Sequence, residues 1–381
     1  MYVLYVTILI FLVYGAQYFL YMKRWDKNLR AEAFFKVEEA YEGDEAELTE
    51  TLENAKNLPL HMVKVKLQLS KKLLFSDMEN SSVSDYFNRT DIFHISRGQR
   101  IRRTIKFKCA HRGYFYFNNI DLFSTDLLYT REFSKNIESL SKLYVYPRPY
   151  SKEIIEPALN RINGEVLTKR NLIEDPFEMK GIREYQPYDG MKNVNWKASA
   201  KSEELMVNLH DYTTKRSIRV FLNLEDATLM KQDDIQEVCI SIGIALVIHF
   251  CDLGVPVSVF ANSKDVLTDN PIKLIEGSGD THIRAVNRAL SRIDLGKGAY
   301  KFHEYFEPLL FEEVNDSYTI VISSYIREDF EEALLKMKEE NLDFSWICPV
   351  DPAIDLEVNP ALKDRVIEVP AKEAMYEISL S

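Results

Sequence analysis

The sequence has no CxxC pair and no HExxH, GxSxG or GxxxxGK[ST] run. Those absences take away the usual zinc-ribbon, zinc-protease, nucleophile-elbow and P-loop signals. Only four cysteines occur, Cys109, Cys239, Cys251 and Cys348, and they are far apart. Cys239 and Cys251 sit in a strongly apolar run, so they read as buried thiols of a chain kept in a reducing compartment, not as a disulfide framework. Basic excess is also missing. With 48 Lys and Arg against 59 Asp and Glu, the formal net charge is -11, which excludes a broad nucleic-acid-binding footprint. The histidines are scattered and form no Cys–His pattern, and there is no internal repeat.

One long hydrophobic run is present, at the start. Residues 1–22, MYVLYVTILIFLVYGAQYFLYM, contain no charged side chain. At ~1.5 Å rise per residue such a helix spans about 33 Å, enough to cross the hydrocarbon of a bilayer. Tyr2, Tyr5, Tyr18 and Tyr21 stand toward its ends, where amphipathic rings prefer the interface. A cleaved signal peptide fits less well, because the basic residues Lys23, Arg24, Lys27 and Arg30 follow the run instead of preceding it. By the positive-inside rule the expectation is a single-pass protein of the cell membrane with its C-terminal domains in the cytoplasm.

At 381 residues the chain is too long for one core and predicts two or three domains. Residues 33–149 show short alternating runs broken by turn signals and predict a β-sandwich-like module. Residues 150–214 have weak periodicity and read as a connector. Residues 215–381 alternate apolar strands with helical patterns and predict an α/β, Rossmann-like domain with a mostly parallel sheet. In that domain Asp233 and Asp234 are placed to cap a long apolar helix, and Thr281 to cap another.

Within the connector, GIREYQPYDGMKNVNWKASAK (181–201) gathers basic residues around Trp196 in an acidic chain. Pro187-Tyr188-Asp189-Gly190 signals a turn, after which Asp189 is placed to cap a helix from Met191 to about Glu203. The segment reads first as a clamp, with Val194, Trp196 and Ala198 facing inward and Arg183 holding a carboxylate or a carbonyl. It reads second as a docking edge, with Lys192, Lys197 and Lys201 on a solvated strip. Anion binding and an acid–base pair of Glu184 and Asp189 are the weaker alternatives, since carboxylates beside Arg and Lys usually form ion pairs.

The run Arg183, Glu184, Tyr185, Pro187, Asp189, Asn195, Trp196, Lys197, Ala198, Ser199 and Ala200, followed by Leu205-Met206-Val207, resembles the signature of the domain-of-unknown-function 58 family. Its pattern is approximately Arg-Glu-Tyr-x-Pro-Gly-Asp-x-x-x-x-Ile-x-Trp-x-x-Ser-Ala-Arg, then Leu-Met-Val. Tyr188 stands where that family usually has Gly. The flanking plan is also similar: a membrane segment, a β module with Arg112-Gly113-Tyr114, then Val145-Tyr146-Pro147. The resemblance implies a von Willebrand A-like domain after the β module. It also implies association with MoxR-type AAA+ ATPases and with other von Willebrand A membrane proteins.

An intact domain of that kind holds Mg²⁺ in an oxygen cage that starts with Asp-x-Ser-x-Ser at the end of the first strand. Here Asn223, Glu225 and Ala227 occupy those positions, and the later strand ends in Ser323-Ser324. The expectation is a degenerate site near Asn223, Glu225, Asp226 and Thr281 that holds no metal, and no cofactor elsewhere. The signature and docking residues are then Arg183, Glu184, Tyr185, Asp189, Lys192, Asn195, Trp196, Lys197, Ser199 and Lys201. The function expected is a non-enzymatic, membrane-anchored adaptor for a MoxR-type AAA+ ATPase. The alternatives are a metal-dependent ligand-binding domain and a hydrolase using Glu184 or Asp189.

Overall fold

In LRAEAFF, every second residue is apolar, and Leu29, Ala31, Ala33 and Phe35 are buried while their neighbours are exposed, as the two-residue period of a strand requires. The computed structural model describes residues 2–77, 81–83, 86–170, 179–186, 190–191, 194–202, 204–210, 217–226, 233–311, 317–350 and 356–371. The chain forms two compact units, Met1–Arg148 with Leu290–Arg292 and Pro149–Ala289 with Ile293–Ser381.

The first unit opens with α1 (Tyr2–Arg24). Then come β1 (Leu29–Phe35), β2 (Glu39–Tyr41), β3 (Glu45–Asn54), β4 (Leu60–Ser70) and β5 (Leu73–Phe75). They are followed by β6 (Ser81–Val83), β7 (Tyr86–Ile95), β8 (Arg100–Cys109), β9 (Gly113–Thr125) and β10 (Glu132–Tyr146). The strands build two sheets, in the orders β1-β3-β8-β5 and β2-β10-β9-β4-β7-β6. One apolar cluster takes Leu48, Leu52 and Phe107 from the first sheet and Val63, Val65, Phe117 and Ile120 from the second. The segment Asn57-Leu58-Pro59 between β3 and β4 passes the chain from one sheet to the other and makes no hairpin. Asn54 fixes it by donating from Nδ2 to the carbonyls of Leu58 at 2.9 Å and Ser96 at 3.1 Å. The module begins earlier than the expected residue 33, since Tyr21, Trp25 and Leu29 already belong to its core.

A buried ionic cluster joins the two sheets. Arg89 on β7 donates from Nε to Asp91 at 2.6 Å and from a terminal nitrogen to Asp77 at 2.9 Å. Arg103 on β8 reaches the same two carboxylates at 2.7 and 2.9 Å. Glu50, opposite Arg103 in the β3–β8 register, is buried, and neither of its carboxylate oxygens has a hydrogen-bond partner. Burial, and then the charge of Asp91, push its carboxyl up to about 7.

The second unit begins with α2 (Lys152–Arg170), β11 (Met179–Glu184), α3 (Trp196–Ser202) and β12 (Met206–His210). The region expected to be a plain connector therefore contains a long helix. Ile155, Ala158, Leu159, Ile162 and Val166 make its buried stripe, although Pro157 lies inside it. Its polar face is tied to the α/β domain: Arg161 donates to Val366 O at 2.8 Å, and Tyr318 OH donates to Glu165 at 2.5 Å.

The remaining elements are β13 (Ser217–Asn223), α4 (Asp233–Asp252), β14 (Val257–Lys264), β15 (Pro271–Gly277) and α5 (Gly279–Ser291). After them come α6 (Phe302–Leu310), β16 (Ser317–Ser323), α7 (Glu328–Glu339), β17 (Phe344–Val350) and β18 (Val366–Pro370). The sheet order is β15-β14-β13-β16-β17-β18. All pairs are parallel except β14 with β15. The strands are buried on both faces, which explains their unbroken apolar runs. On one face Phe221 meets Phe306 of α6 edge-on at 5.2 Å, and Trp346 meets Phe330 of α7 at 5.0 Å. On the other, α4 comes so near that a Cβ at Gly243 would stand 2.7 Å from Leu222 Cδ2. Helix α4 has the length and hydropathy of a membrane span, but 67% of that window is buried inside the fold. It is a core helix. Helix α1 passes the same test with 0% buried.

Candidate functional site

The C-terminal edge of the parallel sheet brings Asn223, Asn262 and Ser323 together. Each ends or nearly ends an apolar strand, and each is buried. A buried amide must satisfy both its donor and its acceptor, and here the strand ends satisfy one another. Asn262 donates from Nδ2 to Asn223 Oδ1 at 2.7 Å and to Tyr300 O at 2.8 Å. It accepts from Leu224 N–H at 2.8 Å. Asn223 Nδ2 donates to Ser323 Oγ at 3.0 Å, which also accepts from Tyr325 N–H at 3.0 Å.

The two carboxylates next to this network are engaged by N–H donors as well. Glu225 accepts the backbone N–H of Phe302 at 2.9 Å. It thereby caps α6, whose own N-cap residue, Lys301, makes no side-chain cap. Burial raises the Glu225 carboxyl above its ordinary range, with Phe302 N–H opposing the shift and Asp329 adding to it. Asp226 accepts from Gln236 Nε2 at 2.7 Å, and the same nitrogen donates to Leu224 O at 2.8 Å. Burial and the charges of Glu225 and Asp329 push the nearby Tyr325 hydroxyl up to about 12.

Thr281 stands apart from these residues. Strand β15 runs antiparallel and returns the chain to the opposite edge, where Gly277 pairs with Val257, itself opposite Ile218 at the start of β13. Thr281 follows in the first turn of α5, which starts at Gly279 before the expected cap. A hard cation needs several convergent, unblocked oxygens. Among the described residues no three His, Cys, Asp or Glu side chains converge on such a point. Ala227 lies outside the described residues.

The signature segment folds as a small ribbon with a helical lid. Strands β11 and β12 pair antiparallel, with Arg183 opposite Val207 and Glu184 opposite Met206. The chain then returns along β12: Val194 bridges to Val207, and Asn195 N–H donates to Met206 O at 2.8 Å. Asn195 caps α3, accepting Ala198 N–H on Oδ1 at 3.0 Å, while its Nδ2 donates to Asn208 at 2.7 Å. Ser199 ties lid to strand, because its hydroxyl donates to Asn195 O and accepts Met206 N–H, both at 2.8 Å. Tyr185 N–H donates to Leu205 O at 2.8 Å, and Arg183 donates to Glu184 O at 3.0 Å.

Trp196 corrects the expectation of an inward-facing plug. It is 63% exposed, while Val194 and Val207 fill the inner side and Ala198 is half-buried. The reason is helical phase: Asn195 is held as the cap, so the first residue of α3 points away from β12. Ile182, Met191 and Leu205 are exposed on the same small motif, and Lys197 and Lys201 are exposed one turn apart on the lid. Helix α3 is also shorter than expected and begins at Trp196 instead of Met191. Pro187, Tyr188, Asp189 and Lys192 lie outside the described residues, so the Glu184 and Asp189 pairing has no geometry to report. Glu184 itself is exposed.

Sequence reasoning missed Asn262 and Gln236. The signal available was an amide closing an otherwise apolar strand, VSVFAN, and another in the first turn of the apolar helix α4.

A search of curated proteins finds no match to the chain. Among solved structures, one similar chain is a non-cellulosomal cohesin from the hyperthermophilic archaeon Archaeoglobus fulgidus, at 14% identity, covering 35% of this chain and 97% of that one with a TM-score of 0.21. Another is the CARDB domain of a Pyrococcus furiosus protein in complex with di-metal ions, at 9% identity, 30% and 90% coverage and a TM-score of 0.19. A third is the sporulation control protein Spo0M from Bacillus subtilis, at 12% identity, 42% and 58% coverage and a TM-score of 0.19. Likenesses with scores of this size carry no functional argument. The family model described as "Protein of unknown function DUF58" matches residues 181–348, a span that contains both the ribbon and the strand-end network. Over that span the chain is similar to the DUF58 family.

Proposed function

We propose that this protein is a membrane-anchored, non-enzymatic interaction module whose signature ribbon docks a partner of the MoxR-type AAA+ class. The observation that carries the reading is Trp196, 63% exposed on a lid that Asn195 and Ser199 hold to β12. A large aromatic ring exposed on a pre-ordered support is the chemistry of an interface hot spot, since little conformational entropy is lost when it is covered. Lys197 and Lys201 beside it favour an acidic partner surface. The α/β domain is then a von Willebrand A-like scaffold with its strand-end site closed by amides. Helix α1 is the membrane anchor in this reading, and the basic residues after it favour a cytoplasmic side for the folded units.

The test is affinity capture of full-length protein from native membranes with a MoxR-type ATPase as the scored partner. Trp196→Ala should abolish most of the capture with the melting temperature unchanged. Lys197→Glu with Lys201→Glu should weaken capture most at low salt. Capture that survives both variants would remove the docking reading.

A further inference from the structure

The loop between β9 and β10 is anchored to α1 on the membrane side of the helix's first charge. Tyr14, Gln17, Tyr18 and Tyr21 recur at helical spacing and form the stripe of α1 that packs on the first unit. Tyr14 OH donates to Thr130 Oγ1 at 3.3 Å, and Gln17 Nε2 donates to Asp126 at 3.0 Å. The Tyr18 and Phe133 rings lie 6.4 Å apart, and Tyr21 OH donates to Pro59 O at 3.2 Å. Tyr14 precedes Lys23, the first charged residue of the sequence, by about 13 Å of helix. The tip of the hairpin therefore stands beside a wholly uncharged part of α1.

That tip is built to present apolar side chains. Asp126 is buried and closes the loop by accepting Thr130 N–H at 2.6 Å, Arg131 N–H at 3.3 Å and the Thr130 hydroxyl. Its carboxylate is thus consumed by the turn and by Gln17 of α1. Leu127, Leu128 and Tyr129 point outward, exposed by 46%, 54% and 61%. Tyr129 holds a φ of 57°, a left-handed conformation that a bulky residue rarely adopts. Single exposed apolar residues are ordinary, but three in succession at the level of an uncharged helix are not. Arg131 lies over the Tyr18 ring at 5.3 Å, the paired aromatic and basic chemistry of a membrane–water interface.

We infer that the β9–β10 tip, Leu127-Leu128-Tyr129, dips into the bilayer interface beside α1 and is a second membrane contact of the first unit. Lipid is favoured over a protein partner because the loop is bonded directly to the helix that lies in the membrane. The inference rests on the reading of α1 as the anchor. Two contacts, one helix and one loop, would fix the orientation of the first unit relative to the membrane, where a single helix leaves it free to rotate.

The test uses full-length protein in vesicles of phosphatidylcholine and phosphatidylglycerol, with and without lipids that carry an acyl-chain nitroxide quencher. All four native cysteines are buried, so Leu128→Cys, Leu9→Cys and Leu74→Cys each give one accessible site for an environment-sensitive fluorophore. Leu74 is exposed on β5, in register with Lys108 at the far end of β8 from Arg100, and reports water. The expected result is a blue-shifted Leu128 probe that loses most of its emission to the quencher, as the Leu9 probe does, with the Leu74 probe unaffected. Quenching at Leu9 with a bright, water-like probe at Leu128 overturns the loop contact and leaves the anchor standing. A bright probe at both positions overturns the anchor and the loop together. A blue-shifted Leu128 probe that ignores the lipid quencher means that protein covers the tip, and also overturns the inference.

Discussion

Asn262 donates its side-chain amide to Asn223 at 2.7 Å, joining the ends of two adjacent parallel strands in a buried hydrogen-bond network. Removing either amide leaves several buried groups unpaired. Asn262→Ala strands Leu224 N–H, takes a donor from Tyr300 O and leaves Asn223 Oδ1 with only the longer bond from Glu225 N–H at 3.3 Å. At about 1–3 kcal/mol per unsatisfied buried group, it should lower stability by more than any exposed substitution in the same domain. Urea unfolding of the detergent-solubilised chain gives the comparison, and an unchanged midpoint would mean that water fills the gap.

The same network sets an expectation for metal. Asn223→Asp takes away the donor to Ser323 and adds a buried charge, so its melting temperature should fall. Millimolar Mg²⁺ should rescue neither this variant nor alter the parent. A site at a hundred times its dissociation constant would add roughly 2.7 kcal/mol, a shift that thermal melting resolves easily.

Ser199 and Trp196 should separate stability from recognition. Ser199→Ala leaves Met206 N–H without its acceptor and should cost about 1–2 kcal/mol locally. Hydrogen exchange should quicken at Met206, with the rest of the sheet unchanged. Trp196→Ala should leave exchange and melting as they are. A large loss of stability in Trp196→Ala would show that the ring is covered within the chain.

Glu50 predicts an uncommon pH dependence. Its carboxyl is raised from 4.5 to about 7, so the folded state binds the proton more tightly than the unfolded chain does. The contribution of this group to stability is full below about 4.5 and is lost as pH rises through about 7. Glu50→Gln should flatten that slope and stabilise the chain at pH 8, by about 3 kcal/mol at most. Denaturant midpoints of both proteins across pH 5–8 check it, and parallel curves would put Glu50 in contact with water.

Truncation should distinguish anchoring from folding. Removing residues 2–13 deletes only exposed helix and should spare the melting temperature while making the protein extractable by carbonate. Removing 2–24 also deletes Tyr21, which belongs to the core of the first unit, and should destabilise that unit. Equal melting temperatures for the two truncations would contradict the packing of α1.

Much of this architecture was written locally. The uncharged run through residue 22 dictated a helix of spanning length, and strict alternation in β1 or continuous apolarity in β13 announced a half-buried or fully buried strand. Asn195 caps α3 through chemistry that acts over three residues, although the turn signal at residues 187–190 points to Asp189 as the cap. Helix α2 was harder to read because Pro157 is a helix-breaking signal inside a stripe that otherwise keeps helical spacing.

What sequence alone determined is which segments are apolar, with what period, and where turns and caps can form, since those preferences act between near neighbours. What only tertiary structure decided is who satisfies whom across the chain. Asn262 finds Asn223, Glu225 caps a helix that starts at Phe302, and Thr281 is carried to the wrong edge by one antiparallel strand. Trp196 faces solvent because Asn195 is bonded to a strand that follows it by more than ten residues. Local pattern fixes how much of a side chain wants to be buried, but hydrogen bonds between distant elements fix which way it points.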